Sequence, residues 1–431
     1  MTPSIGLMVV RSPLEVGAEQ APEIVARASE IFTGWGMSVY PALVDSAPAA
    51  RAAAAEWPAI DALCVIAATW SEDYLVQDVL AELPVPVIAW GLPGVHTGSL
   101  CGTQQLCCVL KELGYSYRFV YGALDDPAAG ARVRDAACGA ALIRALRGSR
   151  VGRIGGRLAG MAEVAVDELE LRARFGIRLV ERGLDWLQEA VAGTDSETAE
   201  RDWQRICNRA GSVQVPATEG ITAMRYYQAL TRFVREEALC ALTVECYPAL
   251  MGRVCLPFSL LAEEDIVGAC EGDVNAGVAM RMMAWLSGRP VHNTDLLADT
   301  PDNAVIFSHC GSGALCLAGD RAEIALQSCR LMDVGVTAHF PGRPGRVTLL
   351  NLVGRRDSYR LGVITGVALP TEMVFPGNPV KVRLDVPIAA CLDDIAEVGL
   401  GHHWMIAEGD LGGAVDEFGR LLHLPVYHPG V

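Results

Sequence analysis

The sequence has no block of basic residues. Its 431 residues include 35 Lys and Arg against 51 Asp and Glu, a formal net charge of −16. Affinity for nucleic acid comes mainly from Lys and Arg neutralising phosphates, so no nucleic-acid partner is expected, and the acidity serves solubility. Long apolar runs are also missing. None approaches the roughly 20 residues that a bilayer-spanning helix needs, so no membrane partner is expected either. The start, Met1-Thr-Pro-Ser-Ile-Gly-Leu-Met-Val-Val10, lacks a charged segment ahead of a long apolar one. It reads as a first β-strand and not as a signal peptide, and a soluble cytoplasmic protein is the expectation. There is no CxxC pair among the 14 cysteines, and no low-complexity tail. Cys64, Cys107, Cys108, Cys240, Cys246 and Cys270 lie in apolar segments. Buried free thiols in a reducing compartment are favoured over a zinc–thiolate site.

Apolar material is plentiful, at 51% of the chain against 20% charged. That is enough for two or three domains. The first third alternates strand-like runs (5–10, 37–44, 63–68, 85–90) with helical patterns (18–35, 52–57, 103–113). Such alternation argues βαβ units and a parallel sheet. Ligands of such sheets bind at the carboxyl ends of strands. Those ends here are Arg11-Ser12-Pro13, Thr69-Trp70-Ser71 and the loop from Gly91 to Ser99 that carries His96. The loop is glycine-rich but matches neither G-x-G-x-x-G nor Walker A, so it is expected to line a pocket and not to cradle a nucleotide. The run Arg153-Ile154-Gly155-Gly156-Arg157 reads as a tight strand-to-helix turn. Helical patterns follow at 168–175, 196–210, 222–237 and 273–286, with strands at 241–246 and 304–308. The last hundred residues hold short strands (337–339, 346–353, 359–368, 380–384) split by Pro-Gly turns, then a strand at 404–407 and a helix at 413–421. The expected fold is therefore α/β: two Rossmann-like parallel-sheet domains, residues 1–149 and 150–330, then a β-barrel-like domain, residues 331–431.

Four polar residues stand at the ends of apolar stretches: Glu271, Asp295, His309 and His403. Two carboxylates with one or two imidazoles make a ligand set for a hard or borderline divalent ion. Carboxylates at one metal can also move protons. Any one of them alone has an ordinary reading, as a helix cap, a turn residue or a satisfied core histidine. Glu245 and Asp273 are secondary site candidates, Glu245 for orienting a ligand, and Asp273 with capping of the helix that begins there as its equal alternative. Trp404 and Trp90 are candidates for stacking on a ligand, with packing as the default. Arg11 is placed to meet a charged substituent, a neutral hydroxyl or a surface acid.

The segment Glu271-Gly-Asp-Val-Asn-Ala-Gly-Val-Ala-Met280 resembles the metal segment of the L-fucose isomerase family, and L-arabinose isomerase has a related Glu-Gly-Asp. Asp295, 24 residues after Glu271, matches the family's second metal carboxylate. His402-His403-Trp-Met-Ile resembles the family's histidine before a short C-terminal strand, with His403 at the ligand position. Val305-Ile-Phe-Ser-His309 looks like the strand that carries a further metal histidine in arabinose isomerases. Pro344-Gly-Arg-Val-Thr-Leu looks like the start of the family's C-terminal barrel. The resemblance covers roughly residues 240–431. It implies Mn²⁺, or Mg²⁺ or Co²⁺, on Glu271, Asp295, His403 and less surely His309. It implies Glu271 and Asp295 as the proton-transfer groups of an aldose–ketose isomerase acting on a small sugar, deoxy- and sulfo-sugars included. It also implies a homo-oligomer, hexamer or trimer, in which a neighbour's loop Gly94–Gln104, with His96 and Ser99, closes each site. Arg11, His96, Ser99 and Trp404 are the substrate-binding candidates. A non-catalytic sugar-binding protein and another metal-dependent sugar-converting enzyme (epimerase, aldolase or hydrolase) are the alternatives.

Overall fold

The run Ser4–Val10 (β1) is buried along its whole length, as a continuous apolar strand covered on both faces must be. Ile5, Leu7 and Val9 pack on one side with Phe32, and Met8 and Val10 on the other with Leu75. In the computed structural model, which describes every residue except Leu331, β1 leads a first unit made of residues 1–145 and 413–423. It continues as α1 (Ala21–Gly34), β2 (Ser38–Val44), α2 (Ala47–Glu56), β3 (Ala62–Ala67), α3 (Tyr74–Glu82), β4 (Val87–Gly91), α4 (Ser99–Glu112), β5 (Tyr117–Tyr121) and α5 (Pro127–Leu146). The five strands form one parallel sheet in the order β2–β1–β3–β4–β5.

Three elements of this unit, α3, β5 and α5, were not expected. Helix α5 is rich in Ala and Gly and presents no strong apolar stripe to read. Its glycines serve close packing. A Cβ on Gly139 would sit 2.7 Å from Glu417 Cβ, on the helix Gly412–Leu422 that returns to this unit. Helix α2 is longer than expected because Pro48 lies at its first turn, where proline lacks only an N–H that has no partner anyway.

The second unit, residues 146–412 and 424–431, opens with β6 (Arg150–Ile154), α6 (Glu168–Phe175), β7 (Arg178–Arg182), α7 (Leu184–Ala192), α8 (Ser196–Cys207), β8 (Ser212–Val213) and α9 (Ala217–Glu237). Then come β9 (Ala241–Val244), α10 (Cys255–Glu263), β10 (Val267–Ala269) and α11 (Val274–Ser287). Its parallel sheet runs β10–β9–β6–β7. From β11 (His292–Thr300) and β12 (Ala304–Ser308) the chain passes through β13 (Ala325–Gln327), β14 (Thr337–His339), β15 (Gly345–Val353), β16 (Arg360–Leu369), β17 (Val380–Leu384), α12 (Ile388–Val398) and β18 (His403–Glu408). After the excursion of α13 (Gly412–Leu422) to the first unit, it ends in β19 (Val426–Tyr427).

The sheet order is β15–β18–β11–β12–β17–β16–β19, and β15 pairs with β16 as well. Six strands thus pair in a closed cycle of antiparallel neighbours. Strands β8, β13 and β14 form a small separate sheet. The molecule is accordingly mixed α/β, with two parallel sheets and one seven-stranded, mostly antiparallel sheet. Strand β11 was not expected, because His-Asn-Thr-Asp lacks apolar alternation. Among the described residues no helix is long and apolar enough to cross a membrane.

Candidate active site

The turn between β10 and α11 is Glu271-Gly272-Asp273. Glu271 has φ +67° and Gly272 φ +73°, left-handed values that disfavour an ordinary side chain. The turn is held from three sides. Glu271 N–H donates to Cys246 Sγ at 3.4 Å, Gly272 N–H to Val244 O at 3.0 Å, and Leu158 N–H to Glu271 O at 3.3 Å. A Cβ on Gly272 would lie 2.1 Å from Gly156 O, so only glycine fits. Glu245, the expected ligand-orienting acid, accepts from Gly156 N–H at 2.6 Å. It braces the loop that abuts this turn.

Asp273 has two tasks, one per oxygen. Its Oδ1 caps α11 by accepting from Ala276 N–H at 2.9 Å, and its Oδ2 lies 2.8 Å from His403 Nδ1. The sequence offered Asp273 as a site candidate or as the cap, without pointing to His403 as its partner. A carboxylate on Nδ1 fixes the orientation of an imidazole and leaves Nε2 as the working atom, the usual support of a metal-binding histidine.

Strand register supplies the rest. Asp295 on β11 lies directly opposite His403 on β18 and opposite Ser308 on β12, with His309 next along the chain. Cross-strand neighbours sit close enough to touch. His403 Nε2 is 3.1 Å from Glu271 Oε2 and 3.8 Å from Asp295 Oδ1, and His309 Nε2 is 3.9 Å from Asp295 Oδ2. The two rings are 5.6 Å apart. Neighbouring ligands of an octahedral ion with bonds of about 2.1 Å lie about 3 Å apart, and the cluster is near that size. Asp295 Oδ1 is buried with no hydrogen-bond partner, which is costly unless something binds it. Two carboxylates, two imidazoles and an orphaned oxygen fit a hard or borderline divalent cation.

The electrostatics follow from the same contacts. Burial alone would depress His403, but hydrogen bonds to Asp273 and Glu271 outweigh it and push the imidazole up to about 10. Burial lowers His309 against the pull of Asp295. For Glu271 burial works upward, but the His403 hydrogen bond and the nearby histidines prevail and hold the carboxyl below its ordinary value.

The remaining candidates lie elsewhere. Trp404 is 1% exposed and packs with Val305, Phe307 and Ile406 in the core of the antiparallel sheet. Successive strand residues face opposite ways, so the neighbour of His403 turns from the site into the core. Ser99 is fully buried in the first unit. Its hydroxyl donates to Ala67 O at 2.5 Å and accepts from Leu92 N–H at 2.8 Å. Arg11 pairs with Asp45 at 3.0 Å and donates to Ala18 O, an internal ion pair. His96 is exposed on its loop. Trp90 is a core residue donating to Gly122 O. Cys108, expected inside, is exposed, and all fourteen cysteines are free thiols.

Three residues were missed. Asn293, two before Asp295 and on the same strand face, is buried with both amide atoms unpaired. An isolated asparagine carries no sequence signal of that kind. Glu163 and His402 form a half-exposed pair at 2.9 Å, with the His402 ring 4.0 Å from that of His403. A wide opening of about 870 Å³ on α8 and α9, lined by Glu197, Arg201 and Trp203 among others, shares no residue with this cluster.

No family model matches the chain. It is 27% identical over 381 residues to the sulfoquinovose isomerase of Alkalicoccus urumqiensis, covering 85% of each chain. It is 26% identical over 382 residues to that of Priestia megaterium, covering 85% of this chain and 84% of the relative. The L-arabinose isomerase of a Nocardioides species is 25% identical over 302 residues, covering 65% and 59%. With the Glu271-Gly-Asp and His402-His403 segments, these similarities are consistent with the fucose/arabinose isomerase-like superfamily.

Proposed function

We propose that this protein interconverts an aldose and its ketose by proton transfer, with a divalent cation held by Glu271, Asp295 and His403, and with His309 at the edge of the set. The observation that carries this reading is the convergence of His403 Nε2, Glu271 and the partnerless Asp295 Oδ1, with Asp273 behind the imidazole.

Isomerisation moves one proton between C1 and C2 of an open-chain sugar and another between O1 and O2. A bound Mn²⁺, Mg²⁺ or Co²⁺ supplies positive charge where the enediol oxygens turn negative. Glu271, kept ionised by the imidazoles around it, removes the proton from carbon. Asp295, with its free oxygen, carries the proton between the two sugar oxygens. Asn293 offers an unpaired amide to a substrate hydroxyl from the same strand face. The sulfoquinovose isomerase relatives point to a sulfo-aldose as the substrate class. The closed cycle of six strands is read as a barrel-like module, and the two parallel sheets as Rossmann-like layers. The assembly implied by the resemblance is a homo-oligomer in which the loop 94–104 of one copy closes the site of another. Val95 on that loop is 95% exposed.

The test is a panel of sulfoquinovose and neutral aldoses incubated with Mn²⁺ and analysed for ketose. Ketose from sulfoquinovose, abolished by chelator and restored by Mn²⁺, is the expected result. No ketose from any sugar would overturn the isomerase reading, and full activity after exhaustive metal stripping would overturn the metal.

A further inference from the structure

Behind the carboxylate cluster lies a second group of ligand atoms of opposite character. Cys270 immediately precedes Glu271, and Cys310 immediately follows His309. Their sulfurs are 3.9 Å apart, Cys255 Sγ is 3.7 Å from Cys310 Sγ, and His309 Nδ1 is 3.2 Å from Cys310 Sγ. Cys270, Cys310 and His309 each offer an atom within 4.8 Å of the other two. We infer a second metal site, in which Cys270, Cys310 and His309 Nδ1, with Cys255 alongside, take a thiophilic divalent ion of the zinc or cadmium class. The site stands without the isomerase reading, and only its effect on a hard cation rests on that reading.

The spacing is the first reason. Around a tetrahedral ion with metal–sulfur bonds of about 2.3 Å, sulfurs lie about 3.8 Å apart, and Cys270 Sγ and Cys310 Sγ are 3.9 Å apart. The ligand chemistry is the second, because two or three thiolates and one imidazole select soft ions, whereas the adjoining carboxylates select hard ones. The third is the arrangement of His309. Its Nδ1 faces the thiols and its Nε2 faces Asp295, so the ring stands between the two sets. Binding sends the thiol protons to solvent and places the ion on Nδ1. The neutral ring then keeps its one proton on Nε2, which removes His309 from the donors open to a hard cation. A thiophilic ion therefore antagonises the hard one instead of replacing it. No CxxC pattern announces this site, because its ligands come from three separate chain segments.

The experiment titrates reduced, metal-free, full-length protein with Cd²⁺ and follows thiolate-to-metal charge-transfer absorption in the near ultraviolet. A band saturating at one ion per chain is expected. It should vanish in Cys270→Ser and Cys310→Ser and persist in Cys64→Ser, a buried thiol of the other unit. Should a cysteine variant fail to fold, alkylation of the unaltered chain reads the same property. Cd²⁺ should then slow labelling of Cys270 and Cys310 by at least about tenfold and leave Cys64 unchanged. Absence of the band, its survival in both serine variants, or unprotected Cys270 and Cys310 would each overturn the inference.

Discussion

The ends of the strands in the two units are built from similar residues and leave their polar atoms in opposite states. In the first unit the polar groups after β1, β3 and β4 satisfy one another. Ser12 N–H donates to Thr69 Oγ1 at 2.9 Å, Thr69 Oγ1 to Trp70 O at 2.8 Å, Ser99 bridges Ala67 and Leu92, and Arg11 holds Asp45. In the second unit Glu271 and His309 follow strands, Asn293 and Asp295 lie within β11 and His403 opens β18, and part of this set stays open. Asp295 Oδ1 and both amide atoms of Asn293 are buried without partners, and His403 is shared between two carboxylates. Buried polar groups are normally paired, and this unpaired set, clustered with Glu271 and His403, is where the ligand is proposed to bind. The glycine-rich loop after β4 was expected to line a pocket, yet its serine is consumed by the fold.

The strongest test of that contrast is removal of the open carboxylates. Glu271→Gln and Asp295→Asn should each lower kcat by roughly two to four orders of magnitude at unchanged secondary structure, measured by steady-state ketose formation and circular dichroism. Turnover near that of the native protein in both would leave the second unit no different from the first. Next in size is the imidazole. His403→Ala should weaken Mn²⁺ binding more than Asp273→Asn, for which a loss of about 10–100-fold is expected from removing the group behind a ligand. An asparagine side chain can still cap α11, but Asp273→Asn removes a carboxylate that holds the His403 proton, so the thermal midpoint of the metal-free protein should fall. Calorimetric Mn²⁺ titration checks both, and excess Mn²⁺ should partly restore activity.

Protonation sharpens the comparison further. His403 titrates near 10 in the fold against an ordinary 6.5. A raised imidazole pKa stabilises fully below the unfolded value, and the contribution is lost as pH rises through the folded one. Metal-free protein should therefore lose stability between about pH 6.5 and 10. Burial depresses His309, with the opposite sign, so stability should also fall below about 6.5 as the unfolded chain takes up that proton. Urea denaturation with chelator at several pH values checks this. Mn²⁺ should flatten the alkaline limb, because the ion displaces the proton from Nε2. The smallest catalytic effect belongs to the closed end. Ser99→Ala strands Leu92 N–H and should cost about 1–3 kcal/mol of stability, read from denaturation. The kcat per folded molecule should change by less than about twofold.

Much of the α/β alternation was legible, because strands buried on both faces must be continuous apolar runs, as Ile5–Val10 and Ala304–Ser308 are. Helix α5 escaped because alanine and glycine give no periodic stripe, and β11 because its first four residues are polar and acquire their burial from β12 and β18. The resemblance carried by Glu271-Gly-Asp and His402-His403 agrees with the sulfoquinovose and L-arabinose isomerase relatives. Among the site candidates, Glu271, Asp295, His309 and His403 come together in one cluster, while Arg11, Ser99 and Trp404 are engaged in the interior contacts of their own units. Trp404, a stacking candidate whose default reading was packing, lies in the core because successive strand side chains face opposite ways.

By itself the sequence determined which apolar runs must be buried, where some helices start, as at Glu168 and Ser196, and that two acids and two histidines are available at the ends of apolar stretches. These are local properties, set by side-chain polarity over a few residues. Only the tertiary structure decided which atoms meet. Glu271 and His403 lie 132 positions apart, and their contact depends on the register of β18 against β11 and on a left-handed turn braced by Gly156 and Cys246. Asp273 became the support of an imidazole, Asn293 was left unpaired, and His309 came to stand between oxygens and sulfurs for the same reason. A one-residue slip in strand pairing would turn each of these side chains to the other face, and register is a property of the assembled sheet, not of any single segment.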